Sequence, residues 1–543
     1  MSDVNRRRFL TGTVAAGGAL AVAGTTLPTV AGAEPASALD NPSLGPVTVT
    51  KGDPRYLDLR IKGVNSRFTT DPERFHLVGS TEQVVDVVHT AVRQNKRITV
   101  RGGGHSCENF VGDGAQVIID LSELHDISFD HRRNAFVVEA GATLREVFKT
   151  LYLGWGVTVP GGQCGEVGVG GHFAGGGYGP QSRLFGSVVD YLYAVEVVVV
   201  DRDGRARAVV ATREPDDPNR DLWWAHTGAG GGNFGVVTRY WLRDPKARGN
   251  DPSRLLPRPP GELLGATMLW SWDTVTEERF ANLLRNYTAF FEKHSAPGDK
   301  YASLFSALLI PRKTAGADQG GFVLAATLDA NLPGAERLLR EFTDAVQVGV
   351  PAAVVSPAER TPWLTSALGS GTNGESGRYK QKSAYLKRRY TGEQCKTIYR
   401  HLTENPAPAG AQEAPMLWLL SYGGAVNAAK PDATAMPQRD SIIKAIYLIN
   451  WDDAKGDADG IRRVREFYRD VYATTGGVPV PDDANDGCYI NYPDVDTADP
   501  AWNTSGVPWH TLYFKDNYPR LQRIKAAWDP RDVFHHALSI RLP

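Results

Sequence analysis

Apolar positions along this chain recur in two registers, and the change from one to the other marks where helices give way to strands. Val84, Val85, Val87, Val88, Ala91 and Val92 fall on one face at three-and-four spacing. Ser80 and Gln83 stand just ahead at capping-box spacing, which predicts a helix ending near Asn95-Lys96. Ile98-Thr99-Val100 then reads as a short buried strand. Residues 194–200 form a run dominated by β-branched valines, as expected of a strand covered on both faces, and Val236 to Trp241 gives another strand. Farther on, Phe280, Leu283, Leu284, Tyr287, Phe290 and Phe291 take helical spacing. So do Leu338, Leu339, Phe342 and Val346, and then Ile461, Val464, Phe467, Tyr468 and Val471. Strand-like runs at 301–309, 321–328 and 416–422 lie among them. This second pattern predicts an α+β domain with helices on one face of a sheet.

The 543 residues are too many for one ordinary core and suit two or three domains. Lys and Arg number 60 against 61 Asp and Glu, which leaves no basic excess for nucleic acid or a membrane surface. Arg6, Arg7 and Arg8 precede Phe9-Leu10, a weakly apolar stretch and Ala31-Gly32-Ala33. That order reads as a twin-arginine signal, so the expected location is outside the cell, reached by export of the folded protein. Of four cysteines, Cys107, Cys164, Cys395 and Cys488, none stands in a CxxC or zinc pattern, and no HExxH occurs, so no metal is expected. Their disulfide status stays open.

Glycine, at 57 residues, is concentrated in clusters beside the predicted strands. Ile98-Thr-Val100 runs into Arg101-Gly102-Gly103-Gly104-His105-Ser106, a row of backbone N–H groups suited to a pyrophosphate. The loop lacks the Lys-Ser/Thr ending of a Walker loop. A longer cluster holds Cys164, Gly168, Gly170, Gly171, His172 and Gly175. Its partial GxGxxG fails at Phe173, so it is no Rossmann fingerprint. The third, Gly228 to Gly235 with Asn233, leads into the strand that carries Val237. One such loop could be an ordinary turn, but three within one domain point to a large phosphate-bearing cofactor.

Together these residues resemble the vanillyl-alcohol-oxidase type of FAD-binding domain, and Asn491-Tyr492-Pro493-Asp494 with Tyr513 to Phe534 resembles the closing segment of berberine-bridge-enzyme-like oxidases. The resemblance implies an α+β fold. It comprises a two-part FAD-binding domain at 71–245, a substrate domain at 246–480 with an antiparallel sheet covered by helices, and a segment at 481–543 that returns to the FAD domain. A signal peptide at 1–33 and a leader at 34–70 precede them. It further implies FAD bonded through His105 to the flavin 8α carbon and through Cys164 to C6. Arg101, Gly102, Gly103, Gly104, Ser106, Gly168, Gly170, Gly171, Gly175, Gly235, Val237 and Asn517 are expected around the cofactor. His172 is expected as a packing neighbour of the site rather than a third tether.

Tyr492 and Tyr422 match two catalytic tyrosines of family members that oxidise antibiotic sugars, and the two imply successive oxidations. A phenol serves as a base only if its pKa falls well below the usual ~10, and the cations at 380–389 are candidates for lowering it. The implied reaction is oxidation of a sugar hydroxyl on a glycosylated polyketide of anthracycline type, with O₂ as acceptor and H₂O₂ as product. Alternatives are an oligosaccharide or tetramic-acid antibiotic oxidase, or a flavin-bearing binding or resistance protein without turnover. The sequence is silent on oligomeric state.

Overall fold

The structure, a computed structural model, describes residues 45–315, 321–369, 377–404, 406 and 416–543. The expected export signal lies outside the described residues. Three sheets organise the described residues. The first pairs β1 (Val47–Thr50), β2 (Arg74–Leu77), β4 (Val117–Asp120) and β3 (Ile98–Arg101) in the order β1-β2-β4-β3, with β4 parallel to both β2 and β3. The second runs β5 (Ile127–Asp130), β6 (Ala135–Glu139), β9 (Val236–Leu242), β7 (Leu192–Val200), β8 (Ala206–Thr212), all antiparallel.

The predicted helix is Thr81–Arg93, with the Ser80 hydroxyl accepting from the Gln83 amide at 3.3 Å. Gln83 reaches back to the amide of Gly79 rather than that of Ser80, a capping box displaced by one residue. The buried Val84, Val87, Val88 and Ala91 face β7 and β8, and each large side chain so buried contributes about 1.5–3 kcal/mol. Strand β7 is buried on both faces, as its β-branched run predicts.

The third sheet has eight strands: β10 (Glu262–Ser271), β11 (Phe305–Ile310), β12 (Gly321–Asp329), β13 (Val354–Val355), β14 (Glu359–Pro362), β15 (Arg378–Leu386), β16 (Leu417–Ser421) and β17 (Ile443–Trp451). The order is β13-β10-β12-β11-β16-β17-β15, with β14 also on β10, and every pairing is antiparallel. Helices Glu277–Lys293, Ala335–Gln347 and Asp457–Val471 follow the predicted spacing, and the latter two pack directly on this sheet. The run at 301–309 starts later than its pattern suggests, because residues 301–304 turn through a Leu304-to-Tyr301 hydrogen bond before β11 begins.

The final helix, Tyr518–Trp528, returns to the second sheet. Its buried Lys525 donates to the carbonyls of Asn233 (2.7 Å) and Phe534 (2.6 Å) and pairs with Asp529 at 2.6 Å. The Ile540 amide donates to the Asn233 side chain at 2.9 Å, so the third glycine loop is held by the end of the described chain.

Candidate active site

A cavity of about 630 Å³ lies between the glycine loops and the uncovered face of the eight-stranded sheet. Arg101 to Ser106, Gly168, Gly170, Gly171, His172, Gly235 and Val237 all line it, as do Gly230, Gly231 and Gly232. Arg101 contributes backbone only, since its guanidinium is buried against Asp120 at 2.7 Å. None of the amides from Gly102 to Ser106 donates to a described backbone group, so five successive donors are left for a ligand. Side chains are excluded by close approach: a Cβ on Gly168 would sit 2.3 Å from the Gly103 nitrogen, and one on Gly103 would sit 2.4 Å from the Gly168 nitrogen. Where Gly171 faces the cavity, an added Cβ would meet nothing within 4 Å. Unpaired amides beside bare, open backbone are what a dinucleotide's phosphates require.

His105 and Cys164 both line this cavity. Burial holds the His105 imidazole below its usual pKa, which keeps it neutral and nucleophilic at neutral pH. Cys107 also reaches the wall but is fully enclosed, with the Gln381 amide 2.8 Å from its sulfur, and burial pushes its thiol up to about 12. Cys164 is only partly buried, so the two thiols differ in access. His172 accepts a hydrogen bond from the Gly162 amide at 3.1 Å, with burial pushing it down to about 3, and so acts as a neutral prop for the Cys164 loop.

Opposite the glycines, the sheet offers rows of side chains set by strand register. Ala307, Leu420, Lys444 and Tyr385 form one row, and Leu309, Trp418, Ile446 and Ser383 the next. Gln381 with Leu448, then Tyr379 with Asn450, continue along the same face. Tyr492 enters from the loop after the sheet, and its hydroxyl lies 3.1 Å from that of Tyr178. The Lys444 ammonium makes no hydrogen bond. It lies 3.1 Å from the ring centre of Tyr178 and 3.4 Å from that of Tyr489, with Tyr385, Tyr422 and Tyr492 at 4.5, 5.1 and 5.8 Å. Burial pushes Tyr492 up to about 12, opposed by its hydrogen bond with Tyr178.

Three sets of expected residues stand elsewhere than on the cavity wall. Tyr422 is not among the described residues lining the cavity; it is enclosed behind Tyr178 and Tyr385, with ring centres 5.9 and 5.1 Å away. On β16 the wall positions belong to Trp418 and Leu420 instead. Asn517 and Gly175 also stand outside the wall. Asn517 donates to the carbonyls of Pro431 and Thr434, and Gly175 is bare because a Cβ there would strike Asn491 at 2.0 Å. The cation near the phenols is Lys444, because Lys380 and Lys382 point to the other face of β15 and pair with carboxylates. One signal marks Lys444 in the sequence: it is the sole charge in the run Ile442-Ile-Lys-Ala-Ile-Tyr-Leu-Ile449.

The FAD binding domain family matches residues 72–209, and the berberine and berberine-like family matches 488–541. Aclacinomycin-N/aclacinomycin-A oxidase of Streptomyces galilaeus is 48% identical, covering 100% of this chain and 99% of that protein. Hexose oxidase of Chondrus crispus is 32% identical over 91% of this chain and 94% of its own length. The crystal structure of a glycopeptide hexose oxidase complexed with teicoplanin superposes with a TM-score of 0.88 at 53% identity, covering 92% of this chain and 99% of that one. The phosphate-ready loops and the phenol-lined wall thus belong to a shared scaffold, and the chain is a member of the berberine-bridge-enzyme-like FAD-linked oxidoreductases.

Proposed function

We propose that this protein is an exported oxidase that converts a sugar hydroxyl of a glycosylated antibiotic to a carbonyl, with FAD held covalently by His105 and Cys164. The observation that carries this reading is the Tyr492 hydroxyl, paired with Tyr178 at 3.1 Å and backed by Lys444, in the cavity that also receives both candidate tethers. The names of the relatives, an oxidase of aclacinomycins and a hexose oxidase in complex with teicoplanin, give the substrate class. Held by the glycine loops with His105 and Cys164, FAD would supply the hydride acceptor for the carbinol carbon, with O₂ as the final oxidant and H₂O₂ as the co-product.

Tyr492 takes the hydroxyl proton as the hydride leaves, so the phenolate is its active form. Burial works against that form, and two neighbours favour it. Tyr178 donates a hydrogen bond to the phenolate oxygen, and the Lys444 charge stabilises it from behind the ring of Tyr178. Burial also drives Lys444 well below its usual pKa. Five ring faces oppose that shift, a desolvated ammonium gaining about 2 kcal/mol or more from such contact, and the ammonium is the form they favour. With Tyr422 enclosed, Tyr492 is the one of the two expected catalytic tyrosines that lines the cavity, and a single oxidation is the expected outcome. The twin-arginine segment supports folding and cofactor insertion before export.

The test mixes purified protein anaerobically with a glycosylated aromatic polyketide, a glycopeptide, an oligosaccharide and a free hexose, and follows flavin absorbance. Bleaching by a glycosylated antibiotic with appearance of a sugar ketone or lactone is expected. Binding without bleaching by any of the four would mean a carrier and no enzyme of this kind. Acid precipitation of the same protein should leave the yellow colour in the pellet, on peptides containing His105 and Cys164.

A further inference from the structure

Behind the cavity wall, strand β15 carries a second set of side chains that the proposed reaction does not use. Tyr379 and Gln381 line the cavity, whereas the alternate residues Lys380 and Lys382 point to the opposite face. The Lys380 ammonium lies 2.5 Å from Glu108, 2.7 Å from Asp494 and 3.6 Å from Asp496. Lys382 lies 2.5 Å from Asp494 and 2.8 Å from Asp496, and Arg465 closes the set at 2.6 Å from Asp496. Apart from Arg465, every member is at most 5% exposed. Three cations meet three carboxylates, so the formal charges cancel.

Such a cluster is a poor way to gain stability. Each buried ion gives up several kcal/mol of hydration, and apolar side chains of the same volume often hold a core equally well. Its placement is more telling than its strength. Glu108 lies three residues after His105, Asp494 two residues after Tyr492, and both reach the same ammonium on the strand that forms the wall between them. The Val495 amide approaches Glu108 at 3.5 Å, adding a direct contact between the two loops. Burial alone would lower Lys380, but Asp494, Glu108 and Asp496 outweigh it and hold its pKa above the usual value, so the central cation persists at neutral pH.

We propose that Glu108, Lys380, Lys382, Asp494, Asp496 and Arg465 form a charge-balanced clamp that sets the position of the Tyr492 loop relative to the His105 loop. These are positioning residues, and their importance for turnover rests on the functional reading above. A clamp predicts reciprocity: loosening one loop loosens the other. A set of independent ion pairs does not.

The experiment perturbs one loop and reads the other by hydrogen exchange in the flavin-loaded protein. Glu108→Gln should accelerate exchange at 489–496, and Asp494→Asn should accelerate it at 103–108, each by at least about fivefold. If each variant loosens only its own loop, the clamp is refuted. Removing one charge from a buried pair can unfold a protein, so the double variant Glu108→Gln/Lys380→Met, which deletes one cation and one carboxylate together, is measured alongside. It should fold and show faster exchange at 489–496. Wild-type exchange there would equally overturn the proposal. Anaerobic flavin reduction in Asp494→Asn should slow with little change in substrate KM. Tyr492→Phe serves as the control: if it reduces flavin at the wild-type rate, the functional reading fails while the exchange result still decides the clamp.

Discussion

The two halves of the cavity are made of different material. The glycine half is backbone, with amides from Gly102 to Ser106 and bare Cα atoms at Gly168 and Gly171, while the opposite half is side chain, with the Lys444 ammonium held by strand register among phenols from strand and loop. A backbone site is shaped by what is absent, and it accommodates a cofactor through generic donors. A side-chain site depends on the placement of single atoms: the Tyr178–Tyr492 hydrogen bond joins residues 314 positions apart. Substitutions should therefore act in kind, with loss of cofactor from the first half and loss of chemistry with cofactor retained from the second.

Tyr492→Phe should break the chemistry most sharply. It keeps the ring and deletes the proton acceptor, so stopped-flow flavin reduction should slow by roughly 10²–10⁴-fold while the flavin stays attached. Next in size is Lys444→Met. The ammonium lies 5.8 Å from the centre of the Tyr492 ring, and its loss removes electrostatic support for the phenolate. Tyr492 starts from a pKa that burial has already raised to about 12, and removing a cation raises it further. The rising alkaline limb of the reduction rate should move to higher pH; a shift to lower pH would show that Lys444 does not act as a cation there.

Gly168→Ala tests the backbone half. Its new methyl falls 2.3 Å from the Gly103 nitrogen, and the overpacking should cost about 1–3 kcal/mol and lower the ratio of flavin to protein absorbance. Any molecules that retain flavin should reduce it at near the normal rate. The smallest effect is expected from Tyr422→Phe. Because Tyr422 lies behind Tyr178 and Tyr385, reduction should stay within about twofold of wild type and the product profile should not change. A half-oxidised product accumulating in this variant would restore Tyr422 to the reaction.

This contrast also explains what could be read in advance. Helix Thr81–Arg93, strand β7 and the three glycine clusters are local patterns, and each appears in the structure where its pattern places it. His105, Cys164 and Tyr492 likewise meet in one cavity. Strand β15 escaped the reading because its sequence, Arg-Tyr-Lys-Gln-Lys-Ser-Ala-Tyr-Leu, looks solvated, yet Lys380 to Leu386 are all buried. Its buried lysines are satisfied by Glu108, Asp494 and Asp496, which lie more than a hundred residues away in either direction. Tyr422 stands off the cavity wall for the complementary reason. Motif matching places a residue along a strand but does not say whether a neighbouring ring, here the cavity-lining Tyr178, takes its place on the wall.

The hold of the Ile540 amide on Asn233, across 307 positions, bears on the order in which the protein is made. During synthesis the segments at 102–106, 168–171 and 230–235 emerge long before Phe534, His535 and His536, which also line the cavity. A nascent chain therefore exposes its phosphate loops without the wall that closes over them. Cofactor capture is consequently a late event, and chains stalled before residue 534 should emerge as apoprotein however abundant the flavin.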